Sequence, residues 1–140
     1  MKKVIVQQAK DATLLAKADS NHWVVMDSIK KFGGADAATK PMEMLLMSLG
    51  GCTGMDVLSL LKKMRVDIDD FKIEISTERA DEHPKVYTKI DMVYFFKGKN
   101  IDSDKVEKAV SLSQDKYCSV SAMLKETAEL THKIKIEESE

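Results

Sequence analysis

The sequence predicts one α+β domain over residues 1–140, and three observations carry that reading. Short apolar runs separated by turn residues fill the first 26 residues, and apolar residues alternate with a period of two over 71–96. A single long apolar stretch, Pro41 to Leu61, opens on a proline and closes on Lys62, Lys63 and Arg65. An amphipathic helical pattern follows Asp102. Strands and helices in this order make the domain α+β.

Bulk properties agree with a compact core. The chain has 140 residues, 44% of them apolar and 32% charged, which is ordinary for a globular domain. Its 22 basic and 23 acidic residues nearly cancel, so no general nucleic-acid or membrane surface is expected. The opening Met-Lys-Lys-Val-Ile-Val-Gln-Gln is too short in apolar residues for a signal peptide. Two cysteines are too few for a secreted disulfide scaffold, which points to a cytoplasmic protein with reduced thiols.

Val4–Val6, Thr13–Leu15 and Trp23–Met26 read as short strands separated by turn residues around Asp11 and Asp19. Gly33 to Ala38 is a loop. Pro41 suits the first turn of a helix, where its missing N–H is harmless, and the basic triplet suits the negative end of the dipole. The helix should run roughly 23–25 residues, on the order of 36 Å. It is apolar all round, from Met44 to Leu61, so it must be covered on most sides. One chain of this size is too small to do so, and a second copy is expected to help. Glu43 and Asp56 inside the stretch argue for a buried central helix instead of a membrane span. Gly50, Gly51 and Gly54 each cost about 1 kcal/mol in a helix interior and imply close approach of another backbone or a substrate near Cys52.

Beyond the helix, Phe71, Ile73, Ile75 and Thr77 mark a half-buried strand. After the Asp81–Pro84 turn, Val86, Thr88, Ile90, Met92, Tyr94 and Phe96 line one face of a second strand, antiparallel to the first. Asp102 caps an amphipathic helix carrying Val106, Ala109, Val110, Ser113 and Tyr117. A short helix from Ser119 to Lys125 follows, and Ile134 and Ile136 lie on a last strand.

The candidate chemistry lies in Cys52 and Cys118. Cys118 falls where one helical pattern stops and another starts, and a thiol at a helix N-terminus is favoured as thiolate. Cys52 is mid-helix and apolar, where burial makes a thiol inert unless a cation or donor is near. A free cysteine on such a helix is equally readable as plain core. His22, His83 and His132 are scattered and, with two cysteines, lack metal-ligand spacing, so no metal and no cofactor is expected. Asp56, four residues after Cys52 on the same face, is read as structural.

Pro41-Met-Glu43-Met-Leu-Leu-Met-Ser-Leu-Gly-Gly-Cys52-Thr, Asp56-Val, and Lys116-Tyr-Cys118-Ser-Val-Ser together resemble the OsmC/Ohr family across nearly the whole chain. The spelling around the first cysteine is nearest its OsmC-like branch. That resemblance implies antiparallel sheets packed around a long central helix in an intertwined homodimer. It implies reduction of organic hydroperoxides by a Cys52 thiolate, a Cys52 sulfenic acid, a Cys52–Cys118 disulfide, and recycling by an external dithiol. Family enzymes pair the reactive cysteine with an arginine from an N-terminal strand and a glutamate ten positions before it. Here no arginine precedes Arg65, and Lys17 is the closest substitute cation. Position 42 is Met, and Glu43 lies nine before Cys52, roughly 13–14 Å away along the axis and on the opposite helix face. The alternative is a non-enzymatic protein that binds a hydrophobic ligand among Met42, Met44, Met47 and Met55, with the cysteines as a redox switch.

Overall fold

The computed structural model describes residues 2–140 and contains two compact units, 1–47 and 48–140. In the first, β1 (Ile5–Lys10), β2 (Thr13–Lys17) and β3 (Val24–Met26) form an antiparallel sheet in that order. Asp11 and Asn21 turn the chain with φ of 51° and 60°, a region short polar side chains tolerate. The loop after β3 is organised by Asp27, whose carboxylate accepts backbone N–H bonds from Ser28, Ala35 and Ala37. Gly34 is required here: a Cβ would sit 1.9 Å from the Ser28 carbonyl oxygen.

Helix α1 (Pro41–Lys63) begins and ends where the proline and the lysines place it. Glu43 accepts the Lys40 N–H at 3.0 Å and pairs with the Lys40 ammonium, so its carboxylate serves the helix start. By length and composition α1 could span a membrane. In the fold, Leu49, Thr53, Gly54, Val57 and Leu61 form its buried stripe, while Met47, Met55 and Leu58 are exposed.

In the second unit, β4 (Asp70–Arg79), β5 (Tyr87–Gly98) and β6 (Glu129–Glu138) form a sheet in that order. The expectation of purely antiparallel sheets is corrected. β4 and β5 are antiparallel, but β5 and β6 are parallel. The cause is the crossover through α2 (Ser103–Leu112) and α3 (Ser119–Lys125), which returns the chain to the same edge direction. The proposed face of β5 also slips at its start. A register shift between Glu78 and Arg79 leaves Thr88 unpaired, so Tyr87 is buried and Thr88 exposed. From Ile90 onward Met92, Tyr94 and Phe96 alternate inward as expected and meet the core of Leu49, Val57, Leu61, Val106 and Val110. Each such side chain contributes about 1.5–3 kcal/mol when fully buried.

Within the chain, side chains and not a backbone approach two of the α1 glycines. A Cβ at Gly50 would lie 3.3 Å from Ile75 Cδ1, and one at Gly54 3.4 Å from Phe71 Cε1. Gly51 faces open space.

Candidate functional site

Three elements of the second unit converge on the cysteines. Cys52 and Asp56 project from the same face of α1, one turn apart. Asp102 caps α2 by accepting from the Asp104 and Lys105 amides, and α2 runs on into a π-helical turn, Ser113–Tyr117. Such a turn carries one extra residue and rotates the side chains it presents. Here it buries Ser113 and Gln114 and ends on a bond from Cys118 N–H to the Ser113 carbonyl at 2.8 Å. Cys118 then caps α3, its sulfur accepting the Ser121 N–H at 3.4 Å. The cap expected from the sequence is present.

The sulfurs of Cys52 and Cys118 and a carboxylate oxygen of Asp56 all lie within 4.8 Å of one another. Both cysteines are free thiols, Cys52 partly exposed and Cys118 only 3% exposed. That burial overturns one expectation. The helix start was expected to favour a Cys118 thiolate, but burial pushes this thiol up. The Ser121 hydroxyl and N–H pull the other way and are outweighed, and the neighbouring Cys52 adds to the rise. A seven-residue helix offers too small a dipole to offset desolvation of a buried sulfur.

Behind the thiols runs a buried polar chain that the sequence pattern did not reveal. Ser113 Oγ donates to Asp56 Oδ2 at 3.0 Å, which uses its one proton. Thr53 must therefore donate to Ser113 (2.7 Å), and Tyr94 must donate to Thr53 (2.7 Å). Gln114 Nε2 completes the line by donating to the Tyr94 oxygen at 2.6 Å. Burial pushes the Tyr94 phenol up, which keeps it a donor. The three hydroxyl protons of this chain thus all point toward Asp56. Its only sequence signals were polar residues adjoining the cysteines, Thr53 after Cys52 and Ser113-Gln114 before Cys118. A shallow depression of about 170 Å³, lined by Asp56, Ser59, Leu60, Lys63 and Tyr117, opens beside this carboxylate.

The supporting candidates lie in the amino-terminal unit. Lys17 bonds Asn21 Oδ1 at 3.2 Å and stands 4.8 Å over the Trp23 ring. Glu43 serves the start of α1, as described above. His132 packs edge-on against Tyr94.

This architecture, two small sheets, a long helix bearing one thiol and a short helix capped by the other, defines a two-cysteine α+β protein. The family model described as OsmC-like protein matches residues 33–133, and the chain belongs to that family. It is 36% identical over 131 residues to Protein YhfA of Escherichia coli strain K12, covering 94% of this chain and 95% of that protein. A crystal structure of a hypothetical protein from Aquifex aeolicus VF5 superposes with a TM-score of 0.87 at 34% identity, covering 100% of this chain and 98% of the other. An organic hydroperoxide resistance protein OsmC from Legionella pneumophila shares the fold, with a TM-score of 0.70 at 10% identity and 96% of each chain covered.

Proposed function

We propose that this protein is a thiol peroxidase that reduces organic hydroperoxides to alcohols, with the whole chain working as a single domain. The observation that carries the reading is the asymmetry of the thiol pair: a reachable Cys52 beside a buried Cys118. The Cys52 thiolate attacks the outer peroxide oxygen and the O–O bond breaks. The alkoxide takes a proton and leaves as alcohol, and Cys52 becomes a sulfenic acid. Cys118 then forms the S–S bond, and its proton leaves with the sulfenic oxygen as water. An external dithiol returns both thiols and is itself oxidised to a disulfide. Two cysteines in 140 residues fit a reducing compartment, the cytoplasm. The exposed Met55 and Leu58 on α1 fit burial against a second copy in a homodimer.

Stopped-flow reduction of cumene hydroperoxide tests this with wild type, Cys52→Ser and Cys118→Ser. Cys52→Ser should abolish the reaction. Cys118→Ser should keep one turnover but lose the disulfide-dependent cycle. Turnover that survives in Cys52→Ser overturns the proposal.

A further inference from the structure

We propose that the reduced site binds one thiophilic divalent cation, such as zinc, through Cys52 Sγ, Cys118 Sγ and an Asp56 carboxylate oxygen. The three donor atoms already stand within 4.8 Å of one another. Around tetrahedral zinc, with Zn–S of about 2.3 Å and Zn–O of about 2.0–2.2 Å, ligand atoms lie roughly 3.5–3.8 Å apart. Reaching that spacing from 4.8 Å needs a closure of roughly 1 Å. A disulfide demands more, since its sulfurs must reach about 2.05 Å.

The donor set is suited to such an ion. Two thiolates select soft cations, and a carboxylate completes a three-ligand set that leaves the fourth position to water. Cys52 and Asp56 are partly exposed, which leaves a solvent-facing side to the site. The Ser113 hydroxyl fixes Asp56 from behind, the arrangement by which outer partners orient a metal ligand. Charge also balances. Binding releases two thiol protons to water, so a cation of charge two leaves the site with the single negative charge that the carboxylate brought. The ion and a Cys52–Cys118 disulfide exclude each other, because both use the same two sulfurs.

Anaerobic titration of the reduced full-length protein with Co²⁺ tests this, read by thiolate-to-cobalt charge transfer and tetrahedral ligand-field bands. One cobalt per chain is expected, displaced by zinc. The bands should vanish in Cys52→Ser, in Cys118→Ser, and after oxidation with diamide. Asp56→Asn should weaken binding by at least about tenfold while the far-UV spectrum stays native. Because Asp56 and Cys52 are partly exposed, both variants test the site without opening the core. Absence of thiolate bands, one cobalt per two chains, or unchanged affinity in Asp56→Asn would each overturn the assignment.

Discussion

Asp27 and Asp56 are both aspartates held by hydrogen bonds, and they sit in opposite chemical surroundings. Asp27 is 2% exposed and surrounded by donors: the Ser28 amide at 2.7 Å, Ala35 at 3.2 Å, Ala37 at 3.1 Å, and Thr13. The Ser28 amide and the other donors hold its carboxyl below the usual range, against the opposing cost of burial. Among the described residues Asp56 receives one hydroxyl, from Ser113, and it stands beside two sulfurs. The first carboxylate has its lone pairs engaged and organises a loop. The second keeps lone pairs free beside reactive groups, which is what chemistry requires.

The largest effect should come from opening the donor-rich pocket. In Gly34→Ala the new Cβ would stand 1.9 Å from the Ser28 oxygen and 2.8 Å from Asp27 Oδ1. Backbone cannot yield cheaply, so the loop must spread and the Ala35 and Ala37 amides withdraw from Asp27. A loss of about 3 kcal/mol is expected, near the upper end for overpacking, read from urea unfolding. A shift below about 0.5 kcal/mol would mean that the loop is not held by this carboxylate.

A smaller loss tests the other side of the comparison. Thr53→Val keeps the volume but removes the hydroxyl that joins Tyr94 to Ser113. Tyr94 keeps Gln114, and Ser113 keeps Asp56, so each group loses one partner of two. About 1–2 kcal/mol is expected by the same unfolding measurement. A neutral result would show that the proton-directing line behind Asp56 is not energetically coupled to it.

Sequence made α1 legible because a proline, a long apolar run and three basic residues all mark the same boundaries. Cys118 as a helix cap was legible for a similar reason: two helical patterns meet there. Its burial was not, since that depends on how the π-turn before it packs, and one extra helical residue leaves no periodic mark. The parallel pairing of β6 was hidden because strand direction is set by the crossover, not by the strand's own residues. Asp27 was passed over since its amide donors lie up to ten positions downstream, beyond any local motif. Asp56 was placed on the Cys52 face by its spacing and read as structural, and only the fold brings Cys118 to the same carboxylate.

The smallest expected effect bears on whether the thiol site is acceptor-rich. Burial, reinforced by the neighbouring Cys52, raises the Cys118 thiol. The native state therefore keeps a proton that the unfolded chain releases above about pH 8.5, the ordinary thiol value. Stability from this group is full below that pH and is lost as pH climbs toward the raised native value. Urea midpoints between pH 7 and pH 10 should fall more steeply in wild type than in Cys118→Ala, measured as a difference of slopes so that the cavity's constant cost cancels. Alkylation of Cys118 in Cys52→Ser should likewise lag behind a free cysteine at pH 8. A thiol that instead titrates below the ordinary value would place a donor or cation beside it. The contrast with Asp27 would then collapse, because both pockets would stabilise negative charge.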